Sequence, residues 1–307
     1  MLETPVLFLI FNRPALTAQV FKRIRAARPR QLFVAADGPR ANHLKDKVLC
    51  IETRKIVEQI DWDCEVKTFF RTENIGVGRG VSESITWFFD HVEEGIILED
   101  DCVPDMSFFP FCAKMLEKYR NEPQVWQIAG TNYLFGQRPD AYSYPYYFSM
   151  YNSIWGWATW KRAWQHFDIH IPTDYQTYMP IILHERIKNA EMEHWLLKAY
   201  QTIMDKSVDT WDTQWSYHFN YGQALCVTPV NNLVKNIGID GSHFSYRTPY
   251  HNMSVKSFPF NHLRKLRDNC PPLSIQHNID ALIFPNILRP KWSLLLRLRI
   301  KIEKIFS

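Results

Sequence analysis

The first half of the chain alternates two hydrophobic patterns. Val6–Phe11 (VLFLIF) is an unbroken apolar run, as in a strand covered on both faces. Asn12, Arg13 and Pro14 break it, and Ala15–Ala27 reads as a helix. Gln31–Asp37 (QLFVAAD) reads as a second strand, stopped by Gly38 and Pro39. Lys45–Ile60 places Val48, Ile51, Ile56 and Ile60 at helical spacing. A strand over Cys64–Phe70, a helix over Val81–Val92, a strand over Gly95–Leu98, a helix over Met106–Tyr119 and a strand over Val125–Ala129 follow. This βαβα succession predicts an α/β domain with a mostly parallel central sheet flanked by helices. The second half is less regular. Helical spacing runs through Lys206 and resumes over Trp211–Tyr221, with no internal repeat.

Parallel sheets bind ligands beyond the carboxyl ends of their strands. Three such ends here carry Asn12 and Arg13, Asp37, and the triplet Glu99, Asp100 and Asp101. Folding does not ask for three adjacent carboxylates where a buried strand stops, so either water solvates them or a cation sits there. Hard cations such as Mg²⁺ and Mn²⁺ prefer carboxylate oxygen and can grip a diphosphate with the rest of their shell. A rival reading attaches to Asn74–Ile85 (NIGVGRGVSESI), which is Gly-rich, follows a strand and opens a helix. With Glu99 roughly 20 residues on, it mimics a dinucleotide-binding fingerprint. Val81 stands where the third glycine belongs, however, and the Phe70–Gly76 connection is too long for the tight first turn. The same glycines, with Arg79, can instead meet phosphate at a helix start.

Composition narrows the classes. The 307 residues are 46% hydrophobic and 22% charged, with a net charge of +4, which is ordinary for a soluble globular protein and gives no footprint for nucleic acid. Aromatics are abundant, with 11 Trp, 14 Tyr and 20 Phe. The six cysteines form no C-x-x-C pair and no zinc spacing, and reduced thiols in a cytoplasmic protein are expected. The N-terminal apolar run is too short for a signal peptide, and no segment approaches the ~20 apolar residues of a membrane span.

LIFNRP, VAADGPR, RTENIGVGRG and IILEDDCVPDMSFFPF together resemble GT-A fold glycosyltransferases, nearest to the N-acetylglucosaminyltransferase I family and its bacterial relatives. TWDTQWS (Thr210–Ser216) resembles that family's W-D-D-W segment, and Ala224–Phe244 resembles the strand and Gly-Ser-His run that follow it. The likeness covers roughly Val6 to Phe244, with motif order more specific than any single motif. It implies a GT-A domain over 1–245, with a donor half to about 130 and an acceptor half beyond. Residues 246–307 form a C-terminal extension. It also implies a UDP-sugar donor and Mn²⁺ or Mg²⁺. By position, Asn12, Arg13, Asn74 and Arg79 would line the nucleotide and diphosphate pocket, and Asp37 would meet uracil or ribose. Glu99 and Asp100 would face donor sugar and ribose, and Asp101 would ligate the metal. The family's base falls on Asp212, but Thr213 and Gln214 separate it from Trp215 where the family has two adjacent aspartates, so Asp209 stays in reserve. His243 is either a second metal or phosphate contact or a structural hydrogen-bonder.

The chemistry implied is one displacement at the anomeric carbon that inverts configuration. A carboxylate takes the acceptor proton, and Trp211 and Trp215 would shield it from water or simply belong to the core at i and i+4 spacing. The aromatic run over 142–164 fits an acceptor platform, with Trp155 and Trp157 at its centre and Trp215 beside it, although most of these rings will be core. The tail 290–307 is basic and apolar. It suits an anionic membrane surface carrying a lipid-linked acceptor, or a helix docked on the domain. Two other functions compete with saccharide transfer. One is a sugar-nucleotide or carbohydrate binding protein that has lost catalysis. The other is a nucleotidyltransferase, which releases pyrophosphate and wants a Gly-rich basic loop where this chain has Asn12-Arg13-Pro14.

Overall fold

A computed structural model describes residues 1–137, 142–238, 255 and 270–288. The first unit is β1 (Val6–Ile10), α1 (Pro14–Ala27), β2 (Gln31–Ala36) and α2 (Asp46–Lys55). After α2 a 3₁₀ turn (Ile56–Gln59) leads to β3 (Glu65–Phe70), α3 (Val77–Phe89) and β4 (Glu94–Glu99). Next come β5 (Cys102–Pro104), α4 (Phe108–Tyr119), β6 (Val125–Ala129), β7 (Tyr146–Ser149) and β8 (Trp157–Trp160). The short α5 (Lys161–Trp164), then α6 (Tyr175–Ile187), α7 (Ala190–Met204) and α8 (Asp212–Tyr221) precede β9 (Leu225–Pro229), β10 (Val234–Asn236) and α9 (His277–Leu288).

The central sheet has eight strands in the order β3-β2-β1-β4-β8-β6-β9-β7. β1, β2, β3, β4, β6 and β9 run one way, and β7 and β8 run the other. The mixed α/β architecture with a mostly parallel, helix-flanked sheet is therefore present. The unbroken apolar run of β1 is explained by its place between β2 and β4, with both faces covered. Val6, Phe8 and Ile10 pack under α1 and α4 with Val20, Ile24, Phe111 and Met115. Leu7 and Leu9 pack on the other face with Ile85, Phe88 and Phe89 of α3 and Trp215 and Phe219 of α8. A third cluster joins α6 and α7 to Tyr217 of α8.

Two features depart from expectation. Helix α3 starts at Val77, not Val81, so Gly78 and Gly80 lie within its first turn. The Trp157–Trp160 segment is not a surface platform but strand β8, antiparallel between β4 and β6 and buried throughout. A second, two-stranded sheet pairs β5 with β10, with Asn236 opposite Cys102. It brings the later half of the chain onto the residues that follow β4. Among the described residues no helix is long and apolar enough to cross a membrane.

Candidate active site

The carboxyl ends of β1, β2 and β4 open into a cleft of about 300 Å³. Asn12, Arg13, Asp37, Asn74, Glu99, Asp100, Asp101 and Asp209 all line it, as does Arg40. Parallel pairing sets this gathering: Leu9 lies opposite Glu99 in β4 and Ile10 opposite Ala36 in β2. The residues that follow each strand must then share one edge of the sheet.

Arg13 organises the acidic end. Its Nη1 donates to Asp101 Oδ2 at 3.0 Å and its Nε to Asp100 Oδ2 at 3.3 Å, while Nη2 pairs with Asp100 Oδ1. Burial alone would lower the guanidinium's pKa, but the charges of Asp100 and Asp101 more than reverse this and hold it raised. One cation faces three carboxylates. Burial, and after it the charge of Asp101, pushes Glu99 far above the ordinary carboxylate range, and the charge of Asp212 adds to the effect. Glu99 Oε1 is buried with no hydrogen-bond partner among the described residues. Asp101 is further fixed by Asn236 Nδ2 at 3.4 Å from Oδ1, and Gly238 packs against its other oxygen.

The other side of the cleft is built from loops held by their own side chains. Asp37 accepts the backbone N–H of Gly38 at 2.9 Å and of Ile75 at 3.1 Å, and burial raises its pKa. Asn74 Nδ2 donates to the Gly38 carbonyl at 3.0 Å. Asn12 Nδ2 donates to Asp46 Oδ1 at 2.8 Å, and Arg40 Nε donates to Asp46 Oδ2 at 2.6 Å. Sequence reading missed Arg40, although it closes the VAADGPR stretch. It is a half-exposed cation on the cleft wall, paired with Asp46.

Arg79 is not part of this cleft. The α3 positions that line it are Val77, Gly80, Val81 and Ser84, three and four residues apart on one face. Arg79 points off that face and pairs with Glu83 one turn on, at 2.8 Å and exposed. The earlier helix start accounts for the difference.

A second cavity, of about 400 Å³, is lined by Tyr133, Tyr151, Trp155, Met192, Trp195, Leu196, Asp212 and Thr213, among others. Asp212 opens α8, and its Oδ1 accepts from Thr210 Oγ1 and from the Thr213 N–H at 2.8 Å. Among the described residues no donor reaches Oδ2. Trp155 lines this cavity with Tyr133, their rings 5.8 Å apart. Trp157 and Trp215 do not. Both are fully buried, Trp157 stacks on Trp211, and Trp215 Nε1 donates to Gln127 Oε1 at 2.7 Å. They are core because β8 and α8 meet there. Tyr151, from the aromatic run 142–164, and Trp195, unmarked in the sequence, take their place beside the cavity. Asp209 and Asp212 are separated: Asp209 faces the first cleft and Asp212 the second. His243 and the tail 290–307 lie outside the described residues.

The acid cluster can be tested for its fit to a divalent ion. Among the described residues no group of three or more His, Cys, Asp or Glu side chains is arranged to cage a metal. An ion held by one or two carboxylates and completed by phosphate and water needs no such cage. The partnerless Oε1 of Glu99 beside Asp101 is the donor set such an ion uses. Asp101 and Glu99 therefore fit a metal bound together with a diphosphate, and they do not fit a closed protein site.

No protein-family model matches the chain, and no curated protein matches it in sequence. Solved structures overlap it in part. HddC from Yersinia pseudotuberculosis is 7% identical, with a TM-score of 0.27 over 40% of this chain and 56% of that one. A cytidylyltransferase from Leptospira borgpetersenii serovar Hardjo-bovis is 10% identical, with a TM-score of 0.33 over 62% and 74%. A UDP-glucose pyrophosphorylase complexed with UDP-glucose is 8% identical, with a TM-score of 0.28 over 53% and 70%. This chain thus spans little more than half the length of the Yersinia protein. At such scores the overlap is confined to part of the fold, and what the site can do is decided by its own side chains.

Proposed function

We propose that the chain is an inverting, metal-dependent glycosyltransferase of GT-A type. It would move a sugar from a UDP-sugar to a saccharide or lipid-linked acceptor, and UDP-N-acetylglucosamine is the first donor to test. The observation that carries this reading is a pair of cavities that each present a carboxylate, Glu99 in one and Asp212 in the other. Glu99 closes the polar cleft and Asp212 edges the aromatic one, near enough for the charge of Asp212 to act on Glu99.

In this reading the first cleft holds the nucleotide. Arg40, Asp37 and the Asn74 loop form the wall for base and ribose, and Arg13 keeps Asp100 and Asp101 in place. A divalent ion on Asp101 and Glu99 would neutralise charge on the departing diphosphate. The acceptor lies over Trp155 and Trp195 in the second cavity, where ring faces suit the C–H faces of a sugar. Its hydroxyl attacks the anomeric carbon, that carbon's bond to the diphosphate oxygen breaks, and UDP leaves with the electron pair. Asp212 Oδ2 takes the hydroxyl proton, while Thr210 and the Thr213 N–H orient the carboxylate through Oδ1.

Nucleotidyl transfer fits less well. The β1–α1 connection is Phe11-Asn12-Arg13, with no glycine, and its one cation is committed to the acid cluster. The test is UDP release from a panel of UDP-sugars with Mn²⁺, with acceptor saccharides and with excess EDTA. We expect turnover that needs the ion and falls roughly 10²- to 10⁴-fold in Asp212→Asn with UDP binding retained. Pyrophosphate formed from UTP and a sugar phosphate would replace this reading with nucleotidyl transfer. Tight UDP-sugar binding with no turnover across a broad acceptor panel would replace it with a binding protein.

A further inference from the structure

We propose that Asp209 is a clasp that ties the segment carrying Asp212 to the donor cleft, and so a positioning residue for the transfer proposed above, on which the inference rests. Asp209 Oδ2 accepts the Val77 N–H at 2.9 Å and Oδ1 accepts the Gly78 N–H at 3.0 Å. These are first-turn donors of the 13-residue helix α3, which have no partner within the helix itself. The contact joins residues 132 and 131 positions apart in the chain, so it is a tertiary tie and not a local cap.

Two glycines at the start of α3, Gly76 before it and Gly78 in its first turn, are shaped to this carboxylate. Gly76 has φ of 87°, and a Cβ there would stand 2.4 Å from Asp209 Oδ2. A Cβ on Gly78 would stand 2.6 Å from Asp209 Oδ1 and 2.9 Å from the Thr210 carbonyl oxygen. Both positions must be bare for the 209–210 backbone to lie on the helix start. From there the order passes along the chain. Gln214 Nε2 holds the Thr210 carbonyl at 2.7 Å, and the Thr210 hydroxyl donates to Asp212 Oδ1. The route from donor cleft to base is thus α3, Asp209, Thr210, Asp212. Asp209 faces the first cleft with both oxygens accepting backbone N–H groups, whereas Asp212 faces the aromatic cavity, which favours Asp212 as the base.

Two measurements on Asp209→Ala and Asp209→Asn test the clasp. The first is amide hydrogen exchange, which needs no turnover. Val77 and Gly78 should lose protection, and residues 210–213 should exchange faster, while the core strands stay as in the wild type. Unchanged exchange at Val77 and Gly78 would overturn the contact. The second is kinetic. A misplaced base predicts kcat down roughly 10- to 100-fold with donor KM within about threefold. Thr210→Val should show the same split, and the double variant should lose less than the product of the two single losses because they act on one route. A purely structural cap would lower the melting temperature and leave kcat unchanged below it, which would overturn the positioning role. Equal losses in UDP affinity and kcat would also overturn it, by making Asp209 a donor contact. Asp212→Asn measured alongside separates the two inferences. If it turns over at the wild-type rate, the base assignment falls while the exchange result still stands or falls on its own.

Discussion

Arg13 and Asp101 meet at 3.0 Å although 88 residues separate them in the chain. The same guanidinium spans Asp100, so the loop after β1 is fastened to the turn after β4. Three neighbouring carboxylates at the end of a buried strand are tolerable because this cation offsets part of their repulsion. Glu99, which has the partnerless oxygen, is left as the least compensated of them.

Removing that cation should therefore show as instability. Breaking a buried ion pair from one side costs about 3–5 kcal/mol. Arg13→Gln is expected to melt well below the wild type, and millimolar Mn²⁺ should recover part of the loss by supplying the missing charge. Thermal unfolding with Mn²⁺ and with EDTA reads both effects. An equal melting temperature for variant and wild type in EDTA would mean the pair carries no stability. Loss without any recovery in Mn²⁺ would count against an ion seat at Asp101.

The tryptophans divide by position. Trp157 and Trp215 are fully buried, so truncation to Ala should destabilise by about 3–5 kcal/mol. Trp155 and Trp195 line the aromatic cavity, and Trp195 is 41% exposed. Trp195→Ala should leave the fold within about 1 kcal/mol of the wild type, and both it and Trp155→Ala should raise acceptor KM several-fold at unchanged donor KM. Denaturant unfolding and two-substrate kinetics distinguish the groups, and a Trp195→Ala enzyme with normal acceptor KM would remove the acceptor from this cavity.

The contrast shows what the sequence could and could not say. β1, β2 and β4 were legible because fully covered parallel strands are continuous apolar runs, and their ends named Asn12, Arg13, Asp37 and Glu99–Asp101 for one edge. β8 was not, because a four-residue Trp-rich stretch buried on both faces has no periodicity to distinguish it from an exposed aromatic patch. The start of α3 was misjudged because glycine argues against helix, and the need for Gly76 and Gly78 there comes from Asp209, more than 130 positions away in the chain. Arg13 on Asp101 and Thr210 on Asp212 are pairings that composition cannot announce. Arg40 could have been found, since it follows Asp37 by three residues at a strand end expected to face ligand.

Gly238 offers a test of the acid cluster from a position just beyond β10. A Cβ at this position would stand 2.2 Å from Asp101 Oδ2 and 3.2 Å from Asn236 Oδ1. Arg13 and Asn236 hold the Asp101 carboxylate, so it cannot yield without losing a partner. Gly238→Ala should therefore weaken UDP binding in Mn²⁺ by roughly tenfold, since small displacements of a positioned group are felt strongly. Binding in EDTA should change much less. Calorimetry in the two buffers gives the answer, and equal weakening in both would move the effect from Asp101 to the nucleotide wall.

Asp280 gives the chain a pH dependence far from the donor cleft. It is buried in α9, accepts from Ser149 Oγ at 2.6 Å and from the Met150 N–H at 3.0 Å, and so fastens that helix to the end of β7. Burial pushes its pKa from 3.8 up to about 7, against the lowering effects of those two hydrogen bonds and of Arg186. Between about pH 4 and 7 the folded chain keeps a proton that the unfolded chain has released. Stability from this group is therefore full at the acid end and is lost as pH rises to 7, by as much as about 4 kcal/mol. His277, on the same helix and lowered by burial, acts in the opposite direction, so the comparison must be with a variant that changes Asp280 alone. Asp280→Asn removes the titration and keeps a neutral side chain of similar shape. The difference between the wild-type and Asp280→Asn unfolding free energies should decline steadily from pH 4 to 7 and level off above it. A difference that is flat across this range would mean that Asp280 is ionised in the folded chain throughout.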